Sequence, residues 1–413
     1  MRLKFILTYV VVFFSAAVGL GEAVAKTPVR KSTPTTRSTP PPKAQDVLAE
    51  VRLIDIYRLI GKGNTSAALA AADALVNDHP TFALAQLVRG DLLLARTRGV
   101  AKFGDIPAAQ LAGSEATLDE LRTESLVRLK ALRERPPAGA IPSEFLQLSP
   151  RVKHAIAVDA SHSRLYLFSN SAAGLTLVGD YYISVGKLGV NKVREGDLRT
   201  PLGVYFITSQ LDPKSLKDFY GAGALPINYP NVLDLQRGKT GSGIWLHGTP
   251  PGQFSRPPKA SDGCVVLANP DLQHIIRTVA IRTTPVVISK QLKWVAPALT
   301  QALRDQFQAR LSAWVQTKSG GSLTSLTTFY APNFSNNGKT LTDWLPTLQR
   351  ELKQASGRSI EVKDVSLLHW LDAEETMVVT LAELIQGQRT GLTKRQYWSR
   401  RSGQWTIFYE GVI

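Results

Sequence analysis

Apolar residues along this chain change their spacing twice, and each change marks a different kind of element. Over residues 46–133 they recur every three or four positions, and the segments 46–60, 67–76, 82–94 and 118–133 each carry an apolar stripe that predicts a helix. Gly61-Lys62-Gly63-Asn64 and Asp78-His79-Pro80 interrupt the pattern as turns. From about residue 150 the apolar runs shorten to strand length. Residues 154–159 and 164–168 predict a hairpin around Ser161-His162-Ser163, followed by strands at 175–185, 244–246, 265–267 and 285–289. Helical spacing returns over 295–316, 323–330 and 341–352. The segments 360–371, 376–388, 391–401 and 405–409 are then rich in Val, Thr, Trp and Tyr and read as antiparallel strands. The expected fold is therefore multidomain: an N-terminal α-helical segment, a mainly-β middle domain and a C-terminal α+β domain. The boundaries fall at 44–135, 150–290 and 294–413, with Pro136-Pro137-Ala138-Gly139 as a linker into the middle domain.

The first 43 residues follow neither pattern. Arg2 and Lys4 precede an apolar run from 5 to 20 and then Ala23-Val24-Ala25, the three parts of an export signal with cleavage before Lys26. A retained membrane anchor is the alternative reading of 1–25. Residues 26–43 are basic and rich in Pro, Thr and Ser without an acid, which predicts a disordered linker. That linker and the leader account for six of the net +16 charges. The remaining +10 suits the anionic polymers of a cell envelope or periplasm. Export, and the lack of a basic stripe interleaved with aromatics, argue against nucleic acid as a partner.

Export also changes the meaning of the single cysteine. One thiol cannot form an internal disulfide, and a leftover thiol in an oxidising compartment points to reactivity. Cys264 follows Ser261-Asp262-Gly263 and opens the apolar run 265–267, while His247 ends the run 244–246, so each lies where a buried strand meets a loop. Between them Pro250, Pro251, Gly252, Pro257 and Pro258 exclude a helix and predict a stiff excursion that walls a cleft. On adjacent strands the two side chains meet as nucleophile and base, with the imidazole lowering the thiol pKa. No carboxylate stands where it would orient the ring, so the carbonyl of Gly248 is the candidate third member. The small Ser261 and Gly263 leave room for an acyl group, and the amides of Asp262, Gly263 and Cys264 are candidate oxyanion donors. The bland reading, a cysteine buried for packing alone, does not account for the S-D-G approach or the W-L-H-G strand upstream.

His247-Gly248 followed by Ser261-Asp262-Gly263-Cys264 resembles the hallmark of the L,D-transpeptidase (YkuD-like) catalytic family. Supporting segments are Gly186-Lys187, residues 199–205 (RTPLGVY) and residues 226–231 (PINYPN). The resemblance spans about 152–290 and implies a β-rich fold acting on peptidoglycan stem peptides. It assigns Cys264 as nucleophile, His247 as base and Gly248 as the carbonyl that orients the base. Cross-linking members commonly read S-H-G-C-x-R, whereas Asp262 and Val266 stand at those two positions here, so the acceptor preference does not transfer. Tyr229, between Asn228 and Pro230, is a candidate cleft residue. Lys187 and Arg199 are candidate carboxylate contacts, against the plainer reading of surface charges.

Residues 53–96 resemble a tetratricopeptide-type repeat, too short for a solenoid and suited to a cap, dimer surface or docking module for an envelope protein. Residues 397–401 with 403–407 resemble the closing hairpin of nuclear-transport-factor-2-like (NTF2-like) domains, whose pocket holds a ligand, a catalytic site or nothing. A YkuD-like domain followed by such a domain resembles the L,D-carboxypeptidases that set cell shape. The expected activity is thus L,D-carboxypeptidase or L,D-transpeptidase without cofactor or metal. The alternatives are a non-catalytic peptidoglycan-binding scaffold and a sortase-like anchoring transpeptidase. His79, His154, His162 and His369 are expected in loops, at a strand start or in the core, without chemistry.

Overall fold

The computed structural model describes residues 49–111, 113–355 and 357–413; the expected leader and basic linker lie outside them. Four of the first five helices are the ones that the apolar spacing predicts. Helices α1 (Ala49–Gly61), α2 (Thr65–Asp78) and α3 (Ala83–Leu94) pack through Leu53, Ile56, Ala68, Ala72, Leu75, Leu84 and Val88. The alanines of α2 let its backbone approach the neighbours closely, and the Asn64 side chain starts the helix by accepting from the Ala67 amide at 3.2 Å. A four-residue turn, α4 (Ala108–Leu111), was too short to leave a periodic signal. The 19-residue α5 (Glu115–Arg133) then returns alongside α3.

Two short strands follow, β1 (Ile141–Pro142) and β2 (Phe145–Gln147), where a plain linker was expected. The middle domain comprises β3 (His154–Asp159), β4 (Arg164–Ser171), β5 (Gly174–Gly186), β6 (Gly203–Phe206), β7 (Ala224–Pro226), α6 (Val232–Gln236), β8 (Trp245–His247), β9 (Lys259–Ser261), β10 (Val265–Leu267), α7 (Asn269–Thr278) and β11 (Pro285–Ser289). Its sheet runs β6-β11-β3-β4-β5-β10-β8-β7, with β9 beside β5. β10 lies parallel to β8, with Val265 opposite Leu246 and Val266 opposite His247, and antiparallel to β5. Alternation along the strands sends Ile156, Val158, Leu165, Leu167 and Ile183 into one core with Leu272 and Ile275 of α7. Ala155, Ala157, Tyr166 and Phe168 go to the other face.

That second face is covered by the C-terminal domain. After β12 (Trp294–Val295), which pairs with β1, come α8 (Gln301–Ser319), α9 (Leu323–Thr327), the small hairpin β13 (Ser335–Asn336) and β14 (Lys339–Thr340), and α10 (Leu341–Ala355). The four long strands β15 (Ile360–Leu371), β16 (Glu375–Ile385), β17 (Leu392–Arg401) and β18 (Gln404–Val412) follow. Their sheet runs β18-β17-β16-β15-β2, so β2, from before the middle domain, is its edge strand. Both faces of this sheet are buried. Leu368, Trp370, Val378, Tyr397 and Phe408 meet the middle domain, while Leu367, Met377, Val379, Trp398 and Ile407 meet Phe307, Leu311 and Trp314 of α8.

Where the sequence suggested a pocket, the space between these helices and the sheet holds an ionic network. Lys318 contacts Glu351 and Glu383, each at 2.7 Å, and Lys394 contacts Glu351 at 2.8 Å, Glu383 at 3.1 Å and Glu410 at 3.2 Å. Among the described residues, no helix is long and apolar enough to cross a membrane.

Candidate active site

The parallel pairing of β8 with β10 decides the site. Since Val266 is opposite His247, Cys264 is level with Trp245, and the thiol and the imidazole are diagonal neighbours on one face of the sheet. The Cys264 sulfur receives the Trp245 amide at 3.4 Å and lies 3.5 Å from the Gly243 carbonyl. Gly263 is what makes this approach possible. Its φ of +133° is one that side chains resist, and a Cβ there would stand 2.8 Å from the Arg199 carbonyl oxygen.

His247 is 1% exposed, and its Nδ1 donates to the Gly248 carbonyl at 2.7 Å. This bond fixes the tautomer and leaves Nε2 with a free lone pair. The Gly248 amide is held in turn by the Tyr220 carbonyl at 3.1 Å. Asn269, at the start of α7, ties the surrounding loops together: its Oδ1 accepts from the amides of Ala222 and Thr249 at 2.8 and 3.2 Å, and its Nδ2 donates to the Thr249 carbonyl at 2.8 Å.

The electrostatics differ from the expected lowered thiol. Burial pushes Cys264 up to about 11, against smaller opposing effects from the Trp245 amide and from Lys192 and Arg256. Burial also pulls His247 down to about 4, although the Gly248 carbonyl favours its charged form. The resting pair is therefore a neutral thiol beside a neutral imidazole, because burial disfavours both charges more than nearby groups compensate.

The remaining candidate residues divide. Ser261 is buried, and its hydroxyl donates to the Cys264 carbonyl at 2.6 Å and accepts from the Gly263 amide at 3.1 Å. The Gly263 amide is thus occupied, which corrects its expected role as an oxyanion donor. The Asp262 side chain is exposed and paired with Lys187 at 2.9 Å. Lys187 is thereby already matched to a carboxylate. The Arg199 guanidinium donates to the Val190 carbonyl at 3.1 Å. Tyr229 is not a cleft residue: it is 5% exposed in the core that holds Ile244, Leu246 and Val265, and its hydroxyl donates to the Thr240 carbonyl at 3.0 Å.

Two histidines expected to be plain loop residues are buried. His162 contacts Glu134 at 2.8 Å and Asp159 at 3.1 Å, which ties the β3–β4 turn to the end of α5. His79 packs 4.9 Å from the ring of Phe254. His369 stays structural beside Glu375, at 3.1 Å.

Sequence reasoning missed the aromatic wall. Tyr220 meets the His247 ring edge-on at 5.1 Å and Trp245 at 4.8 Å, and Phe219 lies 5.8 Å from the imidazole. No periodicity marks residues 218–223, so only the aromatic pair itself signals them. Asn269-Pro270 directly after a strand was the legible signal for a helix start at the site.

The loop between His247 and Cys264 is gripped by the helical segment. The Phe254 ring stacks on Phe82 at 4.4 Å, its amide donates to the Thr81 carbonyl at 3.2 Å, and the Ser255 hydroxyl donates to Glu124 at 2.8 Å. Beneath this contact Arg128 pairs with Glu124 at 2.7 Å and Glu50 at 3.0 Å, and its guanidinium lies 3.7 Å over the ring of Tyr182 on β5.

Residues 153–288 match the family model of the L,D-transpeptidase catalytic domain, YkuD, and residues 306–411 match the Cds6 C-terminal NTF2-like domain. The chain carries a YkuD-type L,D-transpeptidase catalytic domain followed by a Cds6-type C-terminal NTF2-like domain. The helical segment, the β-rich YkuD domain and the α+β NTF2-like domain together make the expected multidomain fold. No curated protein sequence matches the chain. Among solved structures, Bd1075 of Bdellovibrio bacteriovorus is 22% identical, with a TM-score of 0.56, over 66% of this chain and 98% of that one. The helical cell shape determining protein Pgp2 of Campylobacter jejuni is 21% identical, with a TM-score of 0.49, over 70% and 99%. At this identity the Bd1075 likeness is one of fold. The YkuD match takes in both Cys264 and His247, and the NTF2-like match takes in the buried ionic network.

Proposed function

We propose that the protein is a peptidoglycan-modifying cysteine enzyme of the cell envelope, exported through its N-terminal signal. Its Cys264 forms a thioester with the carbonyl at the L-centre of meso-diaminopimelate in tetrapeptide stems. The acyl group then passes to water, as in an L,D-carboxypeptidase, or to an amine, as in an L,D-transpeptidase. The observation that carries this reading is the pairing of β8 with β10, which sets a half-buried thiol and a tautomer-fixed imidazole on one face.

Because both groups rest neutral, the thiol proton moves to His247 Nε2 as the sulfur attacks. The carbon–sulfur bond forms, and the oxyanion is received by backbone amides. With the Gly263 amide occupied, those of Cys264 and Asp262 are the proposed donors, and one such donor is worth about 2.7 to 4 kcal/mol of barrier. The imidazolium, disfavoured by the same burial that lowers its pKa, gives its proton to the departing D-alanine amine as the carbon–nitrogen bond breaks. Water or an amine, deprotonated by the neutral His247, then resolves the thioester. In this scheme residues 44–135 hold the site loop, 150–290 perform the chemistry and 294–413 buttress the outer face of the catalytic sheet.

The test is mass spectrometry of a defined disaccharide-tetrapeptide incubated with the protein, with and without an amine acceptor. Tripeptide formation establishes the hydrolase. Dimers joined between two diaminopimelates, or D-amino-acid exchange, establish the transferase. An unchanged substrate under both conditions refutes the reading.

A further inference from the structure

The loop that closes the site carries a cation mounted with unusual care. Arg256 follows Phe254 and Ser255, the two residues gripped by the helical segment, and its carbonyl accepts from the Tyr182 hydroxyl at 2.8 Å. Pro257 and Pro258 stiffen the chain beyond it, and the Pro258 carbonyl accepts from the Val185 amide at 2.9 Å. The backbone on either side of Arg256 is thereby fixed by α5, by the α2–α3 turn and by β5.

The side chain so mounted points at the chemistry. Its guanidinium lies 4.4 Å over the ring of Phe219, the same ring that stands 5.8 Å from the His247 imidazole. It makes no ion pair among the described residues. The nearby acid, Asp262, is matched to Lys187 at 2.9 Å. Its field nonetheless reaches both His247 and Cys264. A half-buried guanidinium without a counter-ion, presented on a rigid loop over an aromatic ring, is suited to binding a carboxylate through paired N–H donors.

We infer that Arg256 is a substrate-recognition residue that binds the free carboxylate of the C-terminal D-residue of the stem, making the first half-reaction, release of D-alanine, specific for an unblocked chain end. The inference rests on the proposed function. In that substrate one residue, at most about 3.6 Å of chain, separates the scissile carbonyl from the terminal carboxylate. A cation beside the dyad is therefore where an exopeptidase needs it. The side-chain carboxylate of diaminopimelate has the same chemistry and is the competing source.

The experiment compares three disaccharide-tetrapeptides with the full chain: the free acid, the C-terminal amide, and the amide at the diaminopimelate side-chain carboxylate. It uses the unaltered protein, Arg256→Met, which keeps a long stem over Phe219, and Arg256→Lys. The expected result is a loss of about 10- to 100-fold in kcat/KM for Arg256→Met on the free acid, mainly through KM. On the C-terminal amide, where the unaltered protein is already slow, the same substitution changes kcat/KM by less than about twofold. Arg256→Lys recovers part of the loss on the free acid alone.

An equal loss on acid and C-terminal amide makes Arg256 a structural residue and overturns the inference. Discrimination that follows the diaminopimelate amide instead assigns the cation to the other carboxylate and overturns it as well. In both cases the functional reading survives, because the unaltered protein still releases D-alanine. If the unaltered protein leaves all three substrates intact, the functional reading falls and the inference with it.

Discussion

Two clusters of buried ionisable groups in this molecule resolve the same problem in opposite ways. In the C-terminal domain Lys318, Lys394, Glu351, Glu383 and Glu410 are withdrawn from water with every charge matched by contacts of 2.7 to 3.2 Å. Lys394 stays charged there, its pKa held well above the usual lysine range by Glu410, Glu383 and Glu351 in spite of burial. At the β8–β10 junction Cys264 and His247 have no such partners, and burial holds both neutral. A matched buried charge is inert and structural, whereas in the proposed mechanism a thiol and an imidazole kept neutral hold a proton that moves only when substrate arrives.

Exchanging the roles of the two clusters should therefore separate activity from stability. Cys264→Ala should lower turnover by at least about 10³-fold, and His247→Gln by about 10² to 10⁴-fold, in steady-state assays on the tetrapeptide. Cys264→Ala should leave the unfolding free energy within about 1 kcal/mol, because no charge is stranded. Lys394→Met should do the reverse. It leaves Glu410 without an ion-pair partner among the described residues, while Glu351 keeps Lys318, and chemical denaturation should show a loss of about 3 to 5 kcal/mol with kcat/KM per folded molecule unchanged.

A smaller effect is expected at the contact between the helical segment and the site loop. Phe254→Ala removes the stack on Phe82 and loosens the wall beside His247, which should cost roughly tenfold in kcat/KM, and up to about 10²-fold if the dyad shifts by an ångström. A loss confined to thermal stability would show that the loop holds its place without the helices.

A further effect is on pH dependence. The unfolded chain protonates His247 near 6.5, whereas the folded protein does so only near 4. Between these values the unfolded state binds more protons, so this histidine's contribution is complete above about pH 6.5 and is lost as pH falls through 4, on the order of 3 kcal/mol in all. His247→Gln should flatten that part of the stability profile. The thiol has the opposite sign. Its alkylation by iodoacetamide should accelerate steadily through pH 9 to 10, and a plateau near pH 5 to 7 would instead reveal a preformed thiolate–imidazolium pair.

What was legible in the sequence follows the same division. The long strands of the C-terminal sheet were visible because Val, Thr, Trp and Tyr recur in segments of strand length bounded by turn residues, and apolar side chains from both faces of the sheet are buried. Helices α1, α2, α3 and α5 were visible because each buries one stripe. Cys264 and His247 were visible because glycine and proline around them had no other explanation. The long-range pairings were not, since nothing local in Phe145–Gln147 says that it completes a sheet more than 200 residues away. Tyr229 was misplaced for a related reason: a tyrosine flanked by Asn228 and Pro230 looks the same whether its hydroxyl meets substrate or the Thr240 carbonyl. The direction of the Cys264 pKa was likewise hidden, because it depends on burial contributed by distant segments.

The central claim is that Cys264, activated by His247 from a neutral resting pair, takes the acyl group of the stem. Rapid acid quench of the full chain with disaccharide-tetrapeptide, followed by intact-protein and peptide mass spectrometry, tests it directly. The account predicts an adduct on the peptide containing Cys264, with the mass of the substrate less one alanine and absent from Cys264→Ala. Turnover without an adduct in the quenched protein, or an adduct on any other residue, would contradict it.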